Sequence, residues 1–401
     1  MPLGRPRASI LTTCKWVLVG AALVVALPYA WGPIYRFPAP TVFSGAHFLN
    51  PYEGLHRRWQ RANLHAHGRA WSGLTNGQQS DEEVIARYKG LGYAVAGISD
   101  YQRIATLHGV PTMPLYEHGY NIGKHHQLAI GAHHVEWFDF LLWQSVSNEQ
   151  YIIDRVAETT DLVALAHPLV KGAYTRGDLQ QLTGYKLLEI INGPWRMEAG
   201  WDAALSTGHI VWALANDDTH DLNDPQRTAA AWNMIDAPTT STSDVVSALR
   251  AGRAYAVARH TGDTNMDTTV SDVDMSADRL TVTCAGEPAT FVFVGQNGGV
   301  RKTVKNVVSA DYTFDPGDTY IRTVIHSPRT TIYLNPIVRY DGVNVPMRTS
   351  TVDAASTWTL RGACLAIGLT ALALPSRRRR ARPSPAAVVV DRPNDFRRKT
   401  A

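Results

Sequence analysis

Cysteine is scarce in this chain: three in 401 residues, at positions 14, 284 and 364. Cys14 and Cys364 lie beside or inside apolar end segments, which leaves Cys284 without an evident partner. That pattern excludes a disulfide framework and a cysteine-rich zinc site. No repeat of solenoid length is present. Charge is sparse too, at 18% of residues against 45% hydrophobic, a balance that excludes extended disorder and suits one large domain with a smaller one. The formal charge of +4 comes from the ends: residues 377–401 hold nine Lys/Arg against two Asp/Glu, and residues 1–15 hold Arg5, Arg7 and Lys15 with no acid. With those segments removed, residues 16–376 stand at −6. A mildly acidic body gives no electrostatic reason to expect a nucleic-acid partner.

Long apolar runs are confined to the two ends. Residues 16–31 (WVLVGAALVVALPYAW) follow basic residues and read as a signal peptide or signal anchor within 1–32. Pro28-Tyr29-Ala30 makes a poor cleavage site, which favours an uncleaved anchor. A second run at 362–375, within a segment taken as 358–375, is followed by four arginines at 377–380, the flank of a stop-transfer segment. The remainder, 376–401, reads as a basic disordered tail. Both basic clusters lie on the terminal side of their apolar runs, so the positive-inside rule predicts both ends in the cytoplasm and residues 32–357 on the extracytoplasmic side.

Residues 33–60, rich in Pro, Gly and aromatics, read as a linker. From 61 to 260 a pattern recurs in which short apolar stretches of strand character end in His, Asp or Glu, with helical stretches between several of them, as in parallel β/α units. The first ends in Asn63-Leu64-His65-Ala66-His67-Gly68, where the i, i+2 spacing puts both imidazoles on one face of an extended strand. Ser80-Asp81-Glu82-Glu83 is a capping box opening a helix with Val84, Ile85, Tyr88 and Leu91 on its apolar face. A strand at 94–99 delivers Asp100, residues 114–116 lead to Glu117, and a short strand carries His126, Leu128 and Ile130 on one face. Ser147-Asn148-Glu149-Gln150 reads as a second capping box, and the strand at 162–166 ends at His167-Pro168. A strand at 186–191 carries Glu189. The strand at 210–215 follows a helix at 201–206 and runs into Asn216-Asp217-Asp218-Thr219-His220. A last amphipathic helix at 243–253 starts from Ser243 or Asp244, and from 270 to 350 alternating strands with Gly and Asp turns form a small β domain.

Singly, each of these acids and histidines has an ordinary reading as a turn cap, a solvated group or a loop residue. Jointly, six segments each present imidazole or carboxylate at a strand end, and no thiolate, which is the donor set of catalytic zinc, manganese or iron centres. In a β/α barrel the carboxyl ends of the strands form the active-site face.

The order His65-x-His67, Asp100, Glu117, His126, Ala166-His167-Pro168 and Asp218-x-His220 resembles the polymerase and histidinol phosphatase (PHP) superfamily of metal-dependent hydrolases, over roughly residues 61–258. Further fragments, Trp201-Asp202, Asn216 to His220, Ala251-Gly252-Arg253-Ala254-Tyr255 and Leu334-Asn335-Pro336-Ile337, are most similar to the carbaryl-hydrolase branch. The resemblance implies an α/β fold, a distorted (β/α)7 barrel; the alternating strands add a small C-terminal β-sandwich-like domain, and the apolar runs add membrane segments at both ends. It implies two or three divalent ions (zinc, manganese or iron) held by His65, His67, Asp100, Glu117, His126, His167, Asp218 and His220. Glu117 would be the bridging carboxylate, and Asp218 and His220 the proton-transfer partners. His125 is an alternate ligand, and Glu189 is not counted as one. The family places a histidine directly after the Asp100 position, where this chain has Tyr101. The function implied is hydrolysis of a small-molecule phosphoester; the alternatives are amide or carbamate ester hydrolysis, and a metal-stabilised extracytoplasmic binding module.

Overall fold

The computed structural model describes residues 7–110, 112–260 and 266–373, so the tail at 376–401 and its four arginines lie outside the described residues. The chain is a mixed α/β structure. One sheet runs in the order Trp212–Asn216, Leu187–Asn192, Thr160–Leu165, Gln127–Ala132, Leu115–His118. Its first three strands are parallel, whereas Gln127–Ala132 is antiparallel to both of its neighbours. A second sheet continues Val300–Val307, Ala289–Val294, Tyr320–His326, Thr330–Leu334, Ala254–Arg259, Ala231–Asp236, Trp59–Asn63 and Val95–Ala96. It is antiparallel except at its last pair, Trp59–Asn63 with Val95–Ala96. This corrects the expectation of uniformly parallel β/α units: period-two alternation reports which face is buried but not strand direction. The second sheet also passes from the segment 61–260 into the β segment without a break, through the pairing of Ala254–Arg259 with Thr330–Leu334.

Among the described residues, the strand ladders do not close into a barrel. The two sheets meet instead along seams built from side chains and single bridges. At one seam, Asn233 Oδ1 accepts from the Ala215 amide (2.9 Å) and its Nδ2 donates to the Ala215 carbonyl (2.7 Å), while Asn335 Oδ1 accepts from the Ala213 amide (2.8 Å). Buried backbone groups must find partners, and these asparagines stand in for a missing neighbour strand. At the other, Tyr101 and Glu117 form an isolated parallel bridge. Both seams bear on the strand ends that carry the candidate site.

The helices follow local chemistry. Ser80 caps the helix Asp81–Gly90 in a complete capping box with Glu83, and Val84, Ile85 and Tyr88 are buried. The second box is displaced from its expected place: Ser145, with Asn148 at N3, caps Val146–Ala157. Gln150 is buried and accepts from the Thr183 amide instead. The helix expected at 243–253 runs Thr242–Arg250 with Ser241 as its cap, and Val245, Val246 and Leu249 are buried, each contributing about 1.5–3 kcal/mol. Helix Glu198–Leu205 is fixed to the β segment by Asp202, whose carboxylate receives Arg322 through both oxygens at 2.8 and 2.7 Å. The three-stranded sheet Thr268–Ser276, Arg279–Gly286, Ser309–Thr313 shares a core with Phe291, Phe293, Ile321 and Ile325, giving a sandwich-like unit.

At the amino end, helix Arg7–Trp31 contains a stretch, Thr13–Trp31, that is long and apolar enough to cross a membrane, and none of it is buried. It is the only described helix of that kind; the C-terminal helix, Ala354–Ala373, carries Arg361 within it. The two helices meet where they leave the body: Arg361 donates to the Trp31 carbonyl (2.8 Å), and its guanidinium covers the rings of Trp31 and Trp358. The segment read as a linker, 33–60, carries two short strands, Tyr35–Arg36 on Thr351–Val352 and His47–Leu49 on Ile337–Tyr340.

Candidate metal centre

Reciprocal asparagines set the first ligand segment. Asn63 Oδ1 accepts from the Asp217 amide (3.0 Å), and Asn216 Oδ1 accepts from the Leu64 amide (2.8 Å), so each strand end holds the other's outgoing backbone. The chains then cross as the Asp218 amide donates to the His65 carbonyl and the His67 amide to the Thr219 carbonyl. His65, His67 and Asp218 are thereby brought together from segments 150 residues apart in sequence. His126 precedes its strand rather than ending it. Because that strand is antiparallel, its amino end lies beside the carboxyl ends of its neighbours, and the Ala166 amide donates to the His126 carbonyl.

Glu117 is the centre of the cluster, fully buried. Its Oε2 lies 3.4 Å from His65 Nε2 and 3.1 Å from His67 Nε2; its Oε1 lies 2.7 Å from His126 Nδ1 and 2.9 Å from His167 Nε2. Asp218 Oδ1 lies 3.2 Å from His65 Nε2 and 3.3 Å from His67 Nε2. Two donors each about 2.1 Å from one ion at a tetrahedral angle are about 3.4 Å apart, so the separations around Glu117 Oε2 and Asp218 Oδ1 are those of shared coordination, while His126 and His167 hydrogen-bond Oε1. His65 Nε2, His67 Nε2, Glu117 Oε2 and Asp218 Oδ1 have no hydrogen-bond partner although all are buried, a costly state unless something else satisfies them. Overlapping groups form around them: His65/His67/Glu117, His65/His167/Asp218, His67/Asp218/His220 and Glu117/His126/His167. The donor set fits divalent metal.

The charges follow. Burial disfavours protonation of His65 and His67, but the carboxylates of Asp218 and Glu117, with Glu189 beside His65, outweigh it; His65 is raised well above its usual value and His67 to about 9. Burial likewise disfavours ionised Glu117, yet the charges on His126 and His65 hold it well below the carboxylate range. Asp218 is held down in the same way, against burial, by His65 and His67. Burial and the neighbouring His67 push His220 down to about 4, so its ring is neutral at pH 7.

One expected ligand, Asp100, and the alternate, His125, lie elsewhere. Asp100 is buried, but its Oδ1 accepts from the Gly68 amide (2.8 Å) and its Oδ2 pairs with Arg103, so it fixes the turn after His67 and belongs to none of the four groups. His125 turns to Glu149 (3.1 Å). Tyr101 stacks on His67, with centroids 4.6 Å apart, and burial and Glu117 raise its phenol far above its usual value, so it stays protonated. Two residues outside the expected set shape the centre. Glu189 receives His65 Nδ1 (3.0 Å), the His167 amide (2.7 Å), Asn192 Nδ2 (2.8 Å) and Asn216 Nδ2 (2.9 Å). With Nδ1 committed to Glu189, Nε2 is the nitrogen left to bind metal once its proton is displaced. Asp217 accepts from the amides of Ala229, Ala230 and Ala231 and from the Tyr88 hydroxyl, which pins the turn carrying Asp218.

The centre opens into a cavity of about 150 Å³ whose wall holds Tyr101, His126, His167, Asp218 and His220 together with Lys124, Lys171 and Arg227. Lys124, His167, Lys171 and Asp218 all adopt left-handed backbone, at φ 63°, 29°, 56° and 49°. Such a conformation costs a non-glycine residue about 1–2 kcal/mol, and its concentration here marks a site where side-chain placement outweighs local strain.

No family profile and no curated protein matches the chain. Among solved structures, it is similar to a two-domain protein containing a predicted PHP-like metal-dependent phosphoesterase from Bacteroides vulgatus ATCC 8482, at 12% identity over 79% of this chain and 99% of that one, with a TM-score of 0.39. A likeness so distant carries no argument about function.

Proposed function

We propose that the chain is a metal-dependent phosphoesterase anchored to a membrane. His65, His67, Asp218 and Glu117 Oε2 would hold one divalent ion, and Glu117 Oε1, His126 and His167 a second, so that Glu117 bridges them. Bound divalent metal supplies an acidified water and polarises a phosphoryl oxygen. The chain's own groups do the rest. Lys124, Lys171 and Arg227 bind and orient an anionic substrate, Arg227 being held over the Trp195 ring with its centroid 4.4 Å away. Neutral His220 exchanges a proton at Nε2, which has no partner within the protein. The Tyr101 hydroxyl, kept protonated, donates to an oxygen in the cavity.

The observation that carries this reading is the placing of three cations in the same small cavity as the histidine and carboxylate cluster. Arg227 also holds the Asp218 turn, its Nη1 donating to the Asp217 and Asp218 carbonyls (3.4 and 3.2 Å), but a neutral carbamate or amide gives no use for the two lysines. Of the fragments most similar to the carbaryl-hydrolase branch, Asp202 pairs with Arg322 and Asn335 lies in the sheet seam, while Asn216 to His220 lies in the metal centre and serves either reading. Anchoring is supported by the unburied apolar helix and by Trp31, Trp358 and Arg361 at its aqueous end, as in an interfacial belt. The basic first residues support a body outside the cytoplasm. Turnover of a chromogenic phosphodiester by the metal-loaded full chain in detergent tests the activity, with His67→Ala as control. Arg227→Ala should raise KM for phosphoesters and leave that for a neutral carbamate ester unchanged. Turnover equal in wild type and His67→Ala, or carbamate hydrolysis alone, would overturn the proposal.

A further inference from the structure

The loops around the cavity expose large apolar side chains that neither the metal cluster nor the fold requires. Leu74 is 89% exposed, Trp143 74%, Trp137 57% and Ile122 54%. The loops that carry them meet. Trp71 meets Trp137 edge-on at 6.0 Å between centroids, the Tyr120 hydroxyl donates to the Trp137 carbonyl (3.0 Å), and the Ile122 amide donates to the Leu141 carbonyl (3.0 Å). A contiguous exposed apolar surface on a folded chain marks an interaction site.

Two sets of contacts locate that surface. On one side it borders the cavity: Trp71 Nε1 donates to the Tyr101 carbonyl (2.8 Å), and Lys124, two residues after Ile122, stands in the cavity wall. On the other it is tied to the apolar helix: the Leu142 amide donates to the Tyr29 hydroxyl (2.6 Å), and Phe140 packs on the Tyr29 ring at 5.1 Å. Tyr29 lies in the last turn of the helix, just before Trp31. In a spanning helix, tyrosine and tryptophan at that position sit at the headgroup level. Whatever packs on Tyr29 is therefore held at the same depth.

We propose that residues 71–74, 120–122 and 137–143 rest in the bilayer interface, so that the cavity opens onto lipid headgroups and its substrate is an amphiphile whose phosphate lies at the membrane surface. This rests on the anchored phosphoesterase proposed above and names its substrate class. Leu74, Ile122 and Trp143 supply apolar area that a soluble phosphoester would not need. Lys124, Lys171 and Arg227 meet the phosphate at the depth where headgroups carry it. Tethering by the helix raises the local concentration of such a substrate without any new contact.

The test uses the full chain reconstituted into phosphatidylcholine vesicles, with Cys14 and Cys364 replaced by serine and buried Cys284 retained. An environment-sensitive fluorophore is attached in turn at Trp143→Cys, Leu74→Cys, Val24→Cys in the apolar helix and Val300→Cys on the sandwich. Nitroxide-labelled lipids should quench strongly at 24, with shallow labels quenching best at 143 and 74, and not at 300. Quenching at 24 without quenching at 143 and 74 would overturn the proposal and leave the anchor standing; no quenching at 24 would overturn both. Adding phosphatidic acid to the vesicles should raise KM for a soluble chromogenic phosphoester by about threefold or more, because surface phosphate reaches millimolar effective concentration. The same bulk amount of glycerol 3-phosphate should do far less. Equal competition by the two would refute a membrane-borne substrate.

Discussion

Glu189→Gln removes one charge and keeps the shape of a residue buried within the centre. Four donors converge on its carboxylate: His65 Nδ1 and Asn216 Nδ2 on Oε1, and the His167 amide and Asn192 Nδ2 on Oε2. An amide can present oxygen to only one of those pairs, so in either orientation its NH2 faces two donors. Each buried donor left unpaired costs about 1–3 kcal/mol, giving roughly 2–4 kcal/mol after partial relaxation. The favoured orientation keeps oxygen toward His65, preserves its tautomer and leaves the His167 backbone strained. Loss of an outer carboxylate that orients a ligand histidine typically lowers metal affinity about 10–100-fold. Chelator competition by the full chain in detergent measures the affinity, and thermal unfolding without metal measures the stability. Unchanged zinc affinity together with an unchanged melting temperature would show that Glu189 neither orients His65 nor supports His167.

Three further outcomes are expected. Because the phenol of Tyr101 stays protonated and is a poor ligand, Tyr101→His should add bound metal relative to wild type under manganese or zinc loading, checked by elemental analysis of the two proteins dialysed together; unchanged stoichiometry would show that position 101 does not face a vacant metal position. Metal must displace protons from His65 and His67, whose values are raised, so zinc affinity should climb between pH 6.5 and 9, by roughly tenfold per pH unit for each proton lost, and a flat profile would refute the ligand roles. By the same sign, the stability that protonated His67 lends the metal-free chain is complete below 6.5 and lost as pH rises through about 9, so its melting temperature should fall over that range while that of the loaded chain does not. Asp202→Ala leaves Arg322 buried without its partner and should cost about 3–5 kcal/mol in denaturant unfolding, with metal content per folded chain unchanged.

How much of this was legible in the sequence can be judged residue by residue. The His65-x-His67 clamp was readable because a strand's period of two fixes which side chains share a face, and Asp218-x-His220 because it follows an apolar run. The direction of Gln127–Ala132 was not readable, since alternation is the same in either direction. Asp100 stood at a strand end like a ligand, but Arg103 three residues on was a local signal that its charge is met elsewhere. Glu189 did carry a signal: an acid within Leu187-Leu188-Glu189-Ile190-Ile191 is buried on every side and must be paired. What it pairs with, His65 far along the chain, lies in tertiary structure. The asparagine seams were invisible for the same reason, as was the joining of loop 137–143 to Tyr29.

In the proposed phosphoesterase, Glu117 joins two metal-holding groups in one centre. Elemental analysis of wild type and Glu117→Gln, loaded with manganese and assayed in parallel for phosphodiester turnover, tests it most directly. Wild type should carry at least two equivalents per chain, and the variant should lose bound metal and turnover together, because removing one negative charge between two dications weakens both groups at once. Wild-type stoichiometry and turnover in Glu117→Gln would contradict the account.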